Sequence, residues 1–294
     1  MIDLHTHSSA SDGDLSPSML MEKAARLGLK ALALTDHDTI AGLEEAKTAA
    51  GELNIRFIPG VELEIEPEFH IPAINGEFHL LGLGISGFSA EFLEALTFLA
   101  GARDRRNLEM VKRMNAAGIE TEYDEIKAFA GGPEGFKDGM VGRPHFGAFL
   151  ISRKIVKNQE QAFRQWLGKG RPFYVHREGL EFKKAVRLIH QAGGKAVLAH
   201  PMSLYVSWGR LPALMASLQR NGLDGLEAWH PTATVAACKR LEELGRNLGL
   251  WVTAGSDYHG SARPERKLGY TAGDRKIADD FLDSPEAPPA NPPR

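Results

Sequence analysis

The chain has 294 residues, 43% apolar and 25% charged, the make-up of an ordinary globular protein of one or two domains. A net charge of −3 excludes a global basic footprint for nucleic acid, and a lone cysteine, Cys238, excludes a disulfide framework or a cysteine-based zinc site. The N-terminus has no basic stretch followed by an apolar run, and no segment reaches membrane-spanning length, so the expectation is a cytoplasmic enzyme with no membrane and no obligate protein partner.

The first strand, residues 2–4, runs straight into His5-Thr6-His7, and a small polar loop follows with Asp12 and Gly13. Residues two apart on a strand share a face, so both imidazoles can reach one point. Imidazole with carboxylate suits divalent ions such as Zn, Mn and Fe. Residues 17–27 read as a helix, with Ser16 as N-cap, Pro17 in the first turn and Gly28 as stop. An apolar strand over 30–34 ends in Thr35-Asp36-His37-Asp38-Thr39, polar residues capping the strand, with a helix cap as the plain explanation for Asp36 or Asp38. A helix over 40–53 leads to a strand over 55–61 that delivers Glu62, and the strand over 78–85 carries His79 near its start. This alternation predicts βα units and a largely parallel sheet.

From 89 to 170 the signals are helical, over 91–117, 123–130, 144–152 and 160–167, and read as an insertion. The βα rhythm then returns. A helix ending at Ala192 precedes a strand over 195–199 that ends at His200-Pro201. A helix over 212–221 precedes the strand 225–228, ending at Trp229-His230-Pro231. A helix over 235–248, taken to bury Cys238, precedes the strand 250–254, ending in Gly255-Ser256-Asp257-Tyr258-His259-Gly260. The layout is therefore a barrel from 1–88 and 171–275, a helical insertion at 89–170 and a Pro-rich tail, expected to be disordered, at 276–294.

Most strand candidates end in a metal-capable group: His5, His7 and Asp12; His37; Glu62; His200; Asp257 and His259. In parallel α/β barrels the C-terminal strand ends converge on one face. Each residue alone has a plain structural explanation. So many polar groups at one mouth without a cation would leave buried polarity unpaired, and a polynuclear metal site is expected.

The motifs His5-Thr-His7-Ser-Ser-Ala-Ser-Asp12-Gly13, Thr35-Asp36-His37-Asp38-Thr39, Gly60-Val61-Glu62, Ala199-His200-Pro201 and Gly255-Ser-Asp257-Tyr-His259-Gly260 resemble, in order, those of the PHP (polymerase and histidinol phosphatase) superfamily. Thr-Asp-His-Asp-Thr-Ile-Ala-Gly, His79-Leu-Leu-Gly-Leu-Gly, Val141-Gly-Arg143-Pro-His145-Phe and Leu226-Glu-Ala-Trp-His230-Pro resemble its YciV/TrpH-type phosphoesterases. The resemblance implies a distorted (β/α)7 barrel holding two or three divalent ions, Mn first and Fe or Zn as alternatives. It implies His5, His7, Glu62 and Asp257 around one ion, a bridging Glu62 with His79 and His200 around a second, and Asp12, His37 and His259 around a third. His70 is the alternative to His79. Asp12, His37, Glu62 and His200 are the residues expected closest to the chemistry. The implied reaction is hydrolysis by metal-activated water of a phosphomonoester, the 3′-phosphate of 3′,5′-nucleoside bisphosphates, with 5′-to-3′ trimming of short RNA beside it. Where this family continues Ser-His after His230-Pro231, this chain has Thr232-Ala233, so no substrate role is assigned to that loop.

Substrate contacts are expected from the insertion, because arginine suits bidentate phosphate binding. Arg106, Arg143 and His145 are the candidates, with Asp12 and the loop residue Lys267, and Arg143 leads for a second, non-reacting phosphate. Arg103 and Arg105 read as a solvated face, and Trp208, Trp229, Tyr205 and Tyr258 as packing aromatics. The competing readings are a histidinol-phosphate phosphatase and a non-catalytic metal-binding module.

Overall fold

The computed structural model describes residues 1–67, 74, 76–129 and 140–282. The first half of the barrel comprises β1 (Ile2–Asp3), α1 (Pro17–Arg26), β2 (Ala31–Leu34), α2 (Leu43–Leu53), β3 (Arg56–Glu66) and β4 (His79–Leu83). Ser16 caps α1 by accepting from the Met19 N–H at 3.2 Å, and Leu20, Met21 and Ala24 form its buried face. All four residues of β2 are buried, as a strand covered on both faces requires.

Between β4 and the next strand come α3 (Ala90–Ala116), α4 (Tyr123–Lys127), α5 (Arg143–Ser152) and α6 (Gln159–Ala162), the last running into a π-helical turn at Phe163–Leu167. The short β5 (Leu180–Glu181) pairs with the far end of β3, and α7 (Phe182–Gln191), β6 (Lys195–Leu198), α8 (Leu211–Arg220), β7 (Gly225–Trp229), α9 (Val235–Asn247) and β8 (Trp251–Ala254) complete the barrel. Two further strands, β9 (Tyr270–Thr271) and β10 (Arg275–Lys276), make a hairpin absent from the sequence-based expectation.

The sheet order is β1-β2-β3-β4-β6-β7-β8. Leu4 N–H donates to Ala254 O at 3.3 Å, Asp257 N–H to His5 O at 2.8 Å and His7 N–H to Tyr258 O at 3.0 Å, which joins the last strand to the first and closes a seven-stranded barrel. The expected parallel run is broken at one place: β4 is antiparallel to both β3 and β6, so the barrel is mixed. That reversal puts the start of β4 at the rim, so His79 opens its strand, whereas His5, His37, His200 and Asp257 follow the ends of theirs and Glu62 lies within β3, which runs on to Glu66 beyond the expected end at 61.

The buried apolar residues form two hydrophobic cores. Phe92, Ala95, Leu96 and Leu99 of α3 pack in the barrel core, whereas Met110, Val111 and Met114 join Phe146, Phe149, Leu150 and Phe173 in a second core. α3 thus contributes to both cores, and the second one includes Phe173. Within the expected tail, Ile277 is fully buried in the barrel core, and Asp279 pairs with the N-terminal ammonium and with Lys30, each at 2.5 Å. The remainder of the expected tail, residues 283–294, lies outside the described residues, as does His70. Among the described residues no helix is long and apolar enough to cross a membrane.

Candidate metal centre

The extended segment after β1 turns His5 and His7 to one side and Thr6 to the other. Thr6 Oγ1 donates to Ala33 O at 2.6 Å, while His5 Nε2 and His7 Nε2 lie 3.1 Å apart inside the mouth. Glu62 Oε2 is 3.4 Å from His5 Nε2 and 3.3 Å from His7 Nε2, and Asp257 Oδ1 is 3.4 and 3.1 Å from the same two atoms. The other Glu62 oxygen, Oε1, is 2.9 Å from both His79 Nδ1 and His200 Nε2, which are themselves 3.3 Å apart. Asp12 Oδ1 lies 3.2 Å from His259 Nε2, 3.8 Å from His37 Nε2 and 4.0 Å from His7 Nδ1. His37 Nδ1 also stands 2.9 Å from Glu62 Oε2. All nine expected ligands thus meet at one mouth, with Glu62 between the first two groups and His37 joining the third to Glu62. His37 alone is partly exposed.

The donor set fits divalent cations. His7 Nδ1, Asp12 Oδ1 and Glu62 Oε2 are buried without a hydrogen-bond partner, a costly state for polar atoms in a dry interior. Two ligands on one tetrahedral ion, each about 2.1 Å from it, sit about 3.4 Å from one another. The separations within the first two groups are close to that value. The far nitrogens of three histidines are held from behind. His5 Nδ1 is 3.0 Å from Glu227 Oε1 and His79 Nε2 is 3.2 Å from Glu64 Oε2. His200 Nδ1 is 2.6 Å from Ser203 Oγ, which itself donates to Glu77 O at 3.1 Å. Each of these acceptors keeps the proton on the rear nitrogen and aims the front lone pair into the cluster. Burial alone would raise the Glu62 carboxyl, but His37, His79 and His5, cationic when no ion takes up their front nitrogens, outweigh it and hold it well below the usual carboxylate range. Burial is likewise outweighed at Asp257 by Arg266, His5 and His259, and at Asp12 by His259 and His37. Ionised carboxylates and front-facing imidazole nitrogens are what such an ion needs.

The PHP domain model matches residues 3–169 of this chain. The chain belongs to the PHP domain family. It is 35% identical over 257 residues to a 5′-3′ exoribonuclease of Haemophilus influenzae, covering 87% of this chain and 89% of the relative. It is 32% identical over 270 residues to a 3′,5′-nucleoside bisphosphate phosphatase of Chromobacterium violaceum, covering 92% and 91%. A solved structure from Bifidobacterium adolescentis, assigned to the metal-dependent phosphoesterases, superimposes with a TM-score of 0.81 at 28% identity, over 96% of this chain and 93% of that one.

In this PHP chain a cavity of about 360 Å³ leads from the cluster outward beneath the insertion, and Arg103, Arg106, Arg143, Arg177, Arg263 and Arg266 line it. Arg103 is not the solvated residue expected: it is 5% exposed and donates to Asp38 Oδ2 at 2.7 Å. Arg177, which sequence reasoning missed, bridges Asp38 and Glu64. Neither Asp36 nor Asp38 caps a helix. Asp36 accepts from Ser8 N–H and Ser8 Oγ, both at 2.7 Å, and from Ser11 Oγ at 2.6 Å, and so shapes the loop that presents Asp12. Arg105 is exposed and pairs with Glu178 at 2.6 Å, as a solvated side chain does.

Arg106 is buried and has Asn107 Oδ1 as a partner at 2.8 Å, and among the described residues no carboxylate pairs with it. Burial, then Arg177, Arg103 and Arg143, pull its guanidinium well below its ordinary range. Arg143 pairs with Glu77 and lies against the rings of Phe163 and Tyr174, 5.7 and 5.8 Å from their centres. Lys267 points away from the cavity to Asp274 at 2.9 Å, and Arg263 and Arg266 occupy the wall instead. His145 does not line the cavity, because its Nδ1 accepts from Gly142 N–H at 2.9 Å as the cap of α5. Of the four aromatics, Tyr205 is exposed at the rim, while Trp208, Trp229 and Tyr258 engage Arg240, Glu242 and Lys23.

Sequence reasoning also missed His230 and Arg266, both of which meet Asp257 Oδ2, the former at 3.1 Å, and it missed Glu227. A signal for Glu227 was present: a carboxylate inside the five-residue strand β7, every residue of which is buried, needs a buried partner.

Proposed function

We propose that this PHP chain is a metal-dependent phosphoesterase that removes the 3′-phosphate from 3′,5′-nucleoside bisphosphates and also trims short RNA from its 5′ end. The observation that carries the reading is the shared Glu62, whose two oxygens face two adjoining histidine groups at the floor of an arginine-walled cavity. Two or three divalent ions, Mn first among them, would be held by His5, His7, Glu62 and Asp257, by Glu62, His79 and His200, and by Asp12, His37 and His259. Such ions make water a nucleophile near neutral pH and neutralise phosphoryl oxygens. The chain's own part is to hold the substrate against that centre. Arg106 forms no ion pair among the described residues and can take phosphate oxygens as a fork, and Arg143 does the same beside it if it exchanges Glu77 for the substrate. Asp12, at the junction of cluster and cavity, touches both. The enzyme is proposed to work in the cytoplasm.

The arginine wall disfavours histidinol phosphate, which offers one phosphate and a cationic amine that these guanidinium groups would repel. The expected outcome is release of inorganic phosphate from adenosine 3′,5′-bisphosphate by the Mn-loaded protein and little from histidinol phosphate. His7→Ala and Asp257→Ala should lose that release and keep wild-type circular dichroism. Sustained turnover by folded, metal-replete His7→Ala contradicts the reading.

A further inference from the structure

Glu227 is 1% exposed and does not line the cavity, so it touches neither substrate nor solvent. It sits at an irregularity in the pairing of β7 with β8, between Glu227 and Trp229, a kind of distortion that re-aims a side chain out of its regular alternation. Its two oxygens serve two different ligand groups. Oε1 faces His5 Nδ1 at 3.0 Å, and Oε2 accepts from the backbone N–H of His200 at 2.8 Å. His200 has φ +29° and ψ +65°, a left-handed conformation that a non-glycine residue keeps only when its surroundings hold it there. Space for the carboxylate is reserved by Gly255, where an added Cβ would come within 2.3 Å of His5 Cβ and 2.5 Å of Glu227 Oε1.

We propose that Glu227 is the positioning residue of the metal centre, fixing His5 of one ligand group and His200 of the next through a single buried carboxylate. This rests on the reading of the cluster as a metal site. An ionised carboxylate only accepts, so it keeps the His5 proton on Nδ1 and leaves Nε2 bare toward Glu62 and Asp257. Glutamine at this position has one acceptor for two donors. If its oxygen stays with His200 N–H, its amide faces His5 Nδ1 and drives the His5 proton to Nε2, which blocks ligation. If it turns the other way, His200 N–H is left buried and unpaired and the strained turn is released.

The test is Mn²⁺ titration of the metal-stripped full chain by calorimetry, with bound metal counted by elemental analysis. It is paired with long-range ¹H–¹⁵N correlation of the histidine rings in the Zn²⁺-loaded protein. Glu227→Gln is expected to bind Mn²⁺ about 10- to 100-fold more weakly and to lose the Nδ1–H signature of His5, with its metal-free melting little changed. If Glu227→Gln does not fold, Glu227→Asp decides: a carboxylate one methylene shorter cannot span both partners, and affinity is again expected to fall. Wild-type affinity and stoichiometry in the folded variant overturn the role of Glu227 alone. Wild-type protein that takes up no Mn²⁺ overturns the proposed function and this role together.

Discussion

At the scale of single residues, the loop after His7 depends on one buried carboxylate and one missing side chain. A Cβ on Gly13 would stand 2.4 Å from His7 O, so only glycine lets the loop fold back closely enough to bring Asp12 to His259. Asp36 then ties the loop down through two serines. Replacing it with Ala strands three donors in a dry interior, and hydrogen bonds to a charged group contribute about 1.5–3 kcal/mol each. Asp36→Ala should therefore lose at least about 2 kcal/mol of stability, read as a shift of the urea midpoint. Serine-rich loop and aspartate were both visible in the sequence, but that they belong to each other was not, because 28 positions separate Ser8 from Asp36.

At the scale of elements, the insertion is fastened to the barrel by ion pairs as well as by the shared helix α3. Arg103 comes from α3, and Arg177 from the segment that returns from the insertion. They converge on Asp38, and Arg177 continues to Glu64, the carboxylate behind His79. Because every member is at least largely buried, removing one cation leaves charge uncompensated, at a cost of about 3–5 kcal/mol. Arg177→Met should fall at the lower end of that range, since Arg103 still serves Asp38. Thermal melting followed by circular dichroism checks this, and a melting temperature equal to wild type would show that the pairs contribute nothing net. Helix and strand positions were largely legible from apolar periodicity. The direction of β4 was not, since a strand's alternation reads the same from either end.

At the scale of the whole molecule, the metal centre closes the barrel where the first and last strands meet. Histidines and carboxylates from at least five separate parts of the chain share it, and the unfolded chain cannot offer that arrangement. Ion binding should therefore stabilise the fold by mass action, by about 2.7 kcal/mol for each site at a free concentration one hundred times its Kd. Added Mn²⁺ should raise the melting temperature and a chelator should lower it while stopping phosphate release. A melting temperature indifferent to both would separate the cluster from any metal. The sequence by itself determined the histidines and carboxylates that gather at the mouth, most of the strands and the family, because those reside in local patterns and in short motifs repeated in order. Tertiary structure alone decided that Glu227 stands behind His5, that Arg177 stands behind Asp38, that Lys267 turns outward and that residues 276–282 seal the barrel. The reason is that a buried charge is placed by whichever distant partner can neutralise it, and no local spacing records that choice.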